Sequence, residues 1–211
     1  LMFAAMKKIL AAVTVALLLV PGFALAQKRI TITEGTIEPT PIAIANFTGI
    51  EGLPSTDGLL IAEIISNDLA GSGMFSPEVS AALIPPPADP SIRPDFAEWA
   101  PLGVKALLVG SATRDTNGMI EVVFILWDVV TEREIVAGEG EVSELGLRRI
   151  SHQIADLVFE SWTGDEGYFD TRIVYVEESG PANRRVKRLA IMDQDGHCLL
   201  YTSPSPRDKH R

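Results

Sequence analysis

Residues 106–128 have the sequence ALLVGSATRDTNGMIEVVFILWD, which has the pattern of two β-strands joined by a turn. Its apolar beginning, Ala106–Gly110, predicts one β-strand, and Ile120–Asp128 predicts the partner strand. Between them, Asn117-Gly118 is a strong signal for a two-residue hairpin, because both residues accept the positive φ angles of such a turn. A third strand is predicted at Ile135–Val142. The middle of the chain is therefore expected to form a β-sheet.

Two amphipathic helices are predicted on either side of these strands. The first can begin at an N-cap formed by Ser55, Thr56 or Asp57, and it ends at Gly71 and Gly73. Its apolar residues recur at helical spacing and form one face: Leu60, Ile61, Ile64, Ile65 and Leu69. The second helix ends at Thr163-Gly164 and has a similar apolar face: Leu147, Ile150, Ile154, Leu157 and Val158. Both helices can therefore pack on a sheet.

Residues 27–164 are predicted to form an α/β domain, with a mixed sheet and two main helices. A short apolar strand at Pro41–Phe47 belongs to the same sheet. Thr171–Val176 and Arg188–Met192 predict two further strands, joined by a polar hairpin. Because two strands alone cannot bury a face, residues 165–196 are expected to be the linker and first strands of a larger, truncated β domain.

The first 26 residues have the pattern of a signal peptide with a few upstream residues. Lys7 and Lys8 precede the apolar run Ile9–Val20, and Ala24-Leu25-Ala26 is a small-residue cleavage site. Met6 is the expected start, and cleavage is predicted after Ala26. A membrane anchor is the alternative, but the apolar run is shorter than the ~20 residues that a spanning helix needs. The chain is therefore expected to be exported.

The last residues, 197–211, are predicted to be a non-native tail. They are rich in Ser, Pro and Arg and show no hydrophobic periodicity. A genuine disordered tail is the alternative. The single cysteine, Cys198, lies in this tail, so no disulfide is expected in the preceding residues.

The composition argues against binding to nucleic acid. The formal net charge is −10 at pH 7, and an acidic chain repels phosphate backbones. For the same reason, docking on anionic lipid by charge alone is not expected.

Residues suited to catalysis are scarce. His152 is the only histidine outside the tail, and one histidine without a matching nucleophile does not predict a serine triad. His152 and Asp156 are spaced to share a metal on one helix face, but a third ligand is missing nearby, so a local contact along the helix is the favoured interpretation. Asp193-Gln194-Asp195-Gly196 fits a turn after a strand better than a calcium loop. The protein is therefore not expected to be an enzyme.

Several segments in the right order resemble the TolB family. They are Asn67–Phe75, Phe96–Trp99, Ala106–Gly110, Arg149–Asp156, Trp162–Gly164, Gly167–Ile173 and Leu189–Gly196. The resemblance implies an α/β domain followed by a six-bladed β-propeller. It also implies a non-enzymatic periplasmic protein of Gram-negative bacteria, without a cofactor. Such proteins bridge TolA and Pal, support outer-membrane integrity during cell division and are used in colicin import.

The same resemblance locates the two partner surfaces. The family's contact with TolA is the mature N-terminus, which corresponds here to ten residues: Gln27, Lys28, Arg29, Ile30, Thr31, Ile32, Thr33, Glu34, Gly35 and Thr36. The Pal surface lies on the propeller, which is largely missing here.

The residues themselves also predict a strand at Arg29–Thr33, because polar and apolar side chains alternate there. A terminal strand can add to the edge of a partner's sheet, with Ile30 and Ile32 on one face. Pairing within its own domain is the alternative for this strand. For the chain as a whole, the alternatives are a periplasmic ligand-binding domain and a hydrolase fragment that lacks its catalytic part.

Overall fold

A computed structural model of the chain describes residues 38–53, 55–78, 84–85 and 87–201, with residues 198–201 as backbone alone. The first elements in chain order are β1 (Thr40–Ile44), α1 (Thr56–Gly71), β2 (Phe75–Pro77), α2 (Phe96–Trp99), β3 (Ala106–Arg114), β4 (Ile120–Asp128), β5 (Arg133–Val142) and α3 (Leu147–Thr163). Short 3-10 helices lie at Ile50–Gly52, Ala100–Leu102 and Glu144–Gly146. The five strands form one sheet in the order β2-β1-β3-β4-β5.

The sheet is mixed. β1 pairs in parallel with both β2 and β3, and α1 is the crossover between β1 and β2. β3, β4 and β5 form an antiparallel meander. The predicted α/β domain with a mixed sheet and two main helices is therefore confirmed.

The predicted hairpin between β3 and β4 is confirmed, but its loop is longer than two residues. Pairing runs from Ala106 opposite Asp128 to Arg114 opposite Ile120. The Asp115 carboxylate accepts hydrogen bonds of 2.8 Å from the backbone N–H groups of Asn117 and Met119. Gly118 has φ +83°, the conformation for which glycine is favoured. Because Asp115 satisfies these donors, the chain turns over five residues instead of two.

Helix α1 begins and ends where the sequence predicts. The Ser55 hydroxyl accepts a hydrogen bond from the Gly58 N–H at 2.9 Å, which caps the first turn. Most of the predicted apolar face is buried, but Leu60 is 38% exposed, so its assignment to that face is wrong. The buried stripe passes instead through Ile61, Ile64, Ile65, Asp68 and Leu69.

The sheet has a hydrophobic core on each face. On β3, Ala106 and Leu108 belong to the core under α1 and α3, whereas Leu107 and Val109 belong to the opposite core. The opposite core combines three aromatic side chains, Phe96, Trp99 and Trp127, with smaller aliphatic ones. Burial on both faces explains why β3 begins as a continuous apolar run.

A separate three-stranded sheet follows α3. Its strands are β6 (Arg172–Ser179), β7 (Val186–Asp193) and β8 (Cys198–Tyr201), in sequential order. Ile173, Val174 and Val176 on β6 are 41%, 59% and 56% exposed. The two predicted strands are confirmed, and the propeller that they would begin stays a prediction. β8 lies within residues 197–211, whose assignment as a non-native tail also stays a prediction.

The main core extends past the predicted end of the domain at residue 164. Phe169 is fully buried and belongs to the core under α1 and α3. Its ring centroid lies 5.8 Å from that of Phe159 in an edge-to-face arrangement. The segment predicted as a linker therefore supplies part of the packing of the α/β domain.

The described helices include none that is long and apolar enough to cross a membrane.

Candidate functional site

The partner-binding residues predicted from the resemblance, Gln27–Thr36, lie outside the described residues, and so does the predicted signal peptide. The structure instead brings together five ionisable side chains that no single sequence motif contains. We call them the junction cluster: Asp68, Arg148, His152, Asp193 and Asp195.

The centre of the junction cluster is the imidazole of His152. The side chains of His152, Asp68 and Asp193 are only 2%, 1% and 9% exposed. His152 Nδ1 lies 2.6 Å from Asp68 Oδ2 on α1, and its Nε2 lies 3.7 Å from Asp193 Oδ2 at the end of β7. One side chain of α3 therefore faces a carboxylate of the α/β domain on one side and a carboxylate of the three-stranded sheet on the other.

Arg148 lies one turn earlier on α3 and binds the same end of β7. Its Nε donates to Asp193 Oδ2 at 3.2 Å, and its guanidinium also donates to Asp195. Asp195 accepts a further hydrogen bond from the His197 N–H at 3.0 Å, and Gly196 has φ +88°. The predicted turn at residues 193–196 is thus confirmed, and its two carboxylates bind α3.

Burial and neighbouring charged groups shift the pKa values of His152 and Asp68 in opposite directions. Burial by itself would lower the pKa of His152, but the hydrogen bond to Asp68 and the charges of Asp68, Asp193 and Asp195 outweigh it, so the pKa is raised above its ordinary value. Burial raises the pKa of the Asp68 carboxyl, and the hydrogen bond and charge of His152 oppose that rise. The pKa values of both groups are thus raised, by the neighbouring carboxylates at His152 and by burial at Asp68.

The cluster also contains groups with the character of metal ligands. Ligand atoms of His152, Asp193 and Asp195 all lie within 4.8 Å of one another, and Nε2 of His152 has no hydrogen-bond partner. However, the Arg148 guanidinium already binds both of these carboxylates. A fixed cation of the protein therefore supplies the charge that a metal ion would bring.

Asp156, one turn after His152, does not pair with it. Its carboxylate accepts hydrogen bonds from the backbone N–H groups of Phe169 at 2.6 Å and Asp170 at 3.0 Å. Arg149 and Gln153 donate to the Asp170 carboxylate at 3.1 and 2.9 Å. The predicted contact between His152 and Asp156 along the helix is therefore wrong, because each side chain has a partner outside α3.

The arrangement connects three structural elements, since its members lie on α1, on α3 and at the end of β7. Sequence reasoning singled out His152 and the 193–196 turn, but it did not bring them together or include Asp68. The sequence did contain one signal for Asp68. This carboxylate lies on the apolar face of α1, three residues after Ile65, and a buried carboxylate needs a partner.

Comparison with known proteins gives one family match. The model of the TolB amino-terminal domain matches residues 28–135, which include β1 to β4 together with α1 and α2.

Solved structures with a similar fold include TolB from Acinetobacter baumannii, at 24% identity and a TM-score of 0.59. That match covers 78% of this chain and 39% of the other, so this chain spans about two fifths of that TolB. PelC from Paraburkholderia phytofirmans matches at 16% identity and a TM-score of 0.40, covering 58% of this chain and 87% of the other. The LpoB C-terminal domain from Salmonella enterica matches at 21% identity and a TM-score of 0.36, covering 53% of this chain and 88% of the other.

Proposed function

Since the chain belongs to the TolB amino-terminal domain family, we propose that it is part of a non-enzymatic periplasmic adaptor of a Tol-Pal system. The match to residues 28–135 is the observation that carries this proposal. The shared fold with TolB supports it. The junction cluster agrees with an adaptor role, because its side chains bind one another and hold structural elements together.

The adaptor would bind TolA through residues 27–36 and Pal through a propeller that continues from β6 and β7. In that role it would support outer-membrane integrity during cell division and would be used in colicin import. For the TolA contact, the physical support is the alternation at Arg29–Thr33. An unpaired terminal strand can donate and accept backbone hydrogen bonds at a sheet edge, while alternate side chains supply specificity.

Deleting residues 27–36 is expected to abolish binding to TolA and leave the α/β domain folded. The segment is terminal and is followed by the predicted connector at residues 35–41, so the domain is expected to lose little stability. Binding can be measured by isothermal titration calorimetry with purified TolA, and folding by circular dichroism.

Two matched variants sharpen this test. Replacing Ile30 and Ile32 with Asp should weaken TolA binding strongly, whereas replacing Thr31 and Thr33 with Ser should have little effect, because these pairs lie on opposite faces of the strand. Full TolA affinity after the deletion would refute the assignment of the contact, and loss of the helical signal would show that the segment belongs to the fold.

The mature protein is expected to begin at Gln27. The apolar run followed by Ala24-Leu25-Ala26 is the pattern that signal peptidase reads. Intact mass measurement of the protein from a periplasmic extract checks this expectation, with Ala26→Leu as a variant that should block processing. A membrane-bound product that retains Met6 would contradict it.

A further inference from the structure

We propose that His152 is a proton-controlled link between the α/β domain and the sheet formed by β6, β7 and β8. In this proposal the imidazolium holds Asp68 on α1 and Asp193 on β7 at the same time, and the neutral imidazole releases Asp193. This inference is independent of the proposed TolA contact, which involves residues 27–36.

The geometry distinguishes the two protonation states. A neutral imidazole has one N–H, and beside an ionised Asp68 the 2.6 Å separation from Oδ2 favours that hydrogen on Nδ1. The lone pair on Nε2 then faces Asp193 Oδ2 at 3.7 Å, with no hydrogen bond between them. When Nε2 also carries a proton, this contact changes from two facing acceptors to a charge-assisted attraction.

The charges around His152 favour the second proton. Asp68 faces it from α1, Asp193 from the end of β7 and Asp195 from the following turn, while Asp156 and Arg148 lie on α3 itself. Three carboxylates, those of Asp68, Asp193 and Asp195, thus face the imidazole, and one guanidinium lies beside them. Protonating the imidazole brings this largely buried group closer to neutrality, which lowers the cost of burying it.

The sign of the pH dependence follows from the raised pKa of His152. The link is fully formed below the ordinary imidazole pKa of about 6.5 and is lost as the pH rises through the pKa of the folded chain. The Arg148 guanidinium still binds Asp193 and Asp195, so β7 stays attached to α3 but is held less firmly. The expected change is a loosening of the junction and not an unfolding of the α/β domain.

The test is an NMR titration of the full chain from pH 5 to pH 9, combined with hydrogen exchange. The ring signals of His152 are identified by comparison with His152→Gln, since the chain has only three histidines. We expect His152 to carry two ring protons at pH 6 and to titrate above 6.5. Over the same pH range, protection factors of the β7 amides should fall relative to those of β3 and β4. The pKa of His152 is higher when the junction is closed than when it is open. For each unit of that difference, the protection factors of the β7 amides should fall about tenfold.

Asp193→Asn and Asp165→Asn form a matched pair, because each removes one negative charge. Asp193→Asn should lower the pKa of His152 and weaken the pH dependence of β7 protection, whereas Asp165→Asn, beyond the end of α3, should change neither. A His152 that stays neutral at pH 6 would overturn the proposal. A His152 that titrates above 6.5 without any change in the protection of the β7 amides would also overturn it. Both results are obtained on the unaltered chain, so they do not depend on a variant that folds.

Discussion

Gly58→Ala is expected to destabilise the α/β domain severely, by about 3 kcal/mol or more in the free energy of unfolding. Gly58 lies in the first turn of α1, where a Cβ atom would be 2.1 Å from the carbonyl oxygen of Phe47 and 2.8 Å from its carbonyl carbon. Phe47 is fully buried in the main core. Because backbone atoms cannot swing aside as the end of a side chain can, α1 or the segment after β1 would have to move. Urea unfolding monitored by circular dichroism measures the loss.

Gly71→Ala is the matched control, since it makes the same chemical change at the end of the same helix. A Cβ atom at Gly71 would have no neighbour within 4 Å, and alanine favours the helix over glycine by up to about 1 kcal/mol. This variant should therefore be as stable as the parent or slightly more stable. Equal stability of the two variants would show that α1 does not approach Phe47 as closely as the structure has it.

Phe169→Ala is expected to reduce the free energy of unfolding by about 3–5 kcal/mol, the range found when a buried aromatic ring is removed and a cavity remains. The ring is fully buried and packs edge-to-face on Phe159. Its backbone N–H is held by Asp156, so the backbone cannot easily collapse into the space. Thermal and urea unfolding of the full chain measure the effect.

The neighbouring ring provides the control for this second prediction. Tyr168 also contacts Phe159 and Phe169, but it is 40% exposed, so Tyr168→Ala should cost clearly less. A Phe169→Ala variant as stable as Tyr168→Ala would mean that residues 165–170 are not part of the domain core. The expected large difference in stability would show that the packed core of the α/β domain extends beyond residue 164.

Elements defined by local signals could be predicted from the sequence. Ser55 marks the beginning of α1, and Asn117-Gly118 marks the hairpin between β3 and β4. Helical periodicity identified α3, because its apolar residues must meet the sheet on one side. These features depend on residues within a few positions of each other, so a single sequence contains the information.

The short strand β2 could not be predicted in this way. Phe75–Pro77 contains only three residues, one of them a proline, and it is a strand because β1 offers parallel hydrogen bonds to it. The exposure of Leu60 could not be predicted either, since helical spacing alone does not show which edge of the apolar face is buried by neighbouring elements. Such outcomes depend on what packs nearby.

The family, the mixed α/β class and the main helices and strands could be predicted from the sequence, since all of these follow from local patterns and motif order. The environment of His152 could not, because it arises from tertiary packing. Its partners Asp68 and Asp193 are distant in sequence and come from different elements, and no spacing rule connects them. The packing of α1 and β7 on α3 buries the three groups together, and burial makes their charges depend on one another.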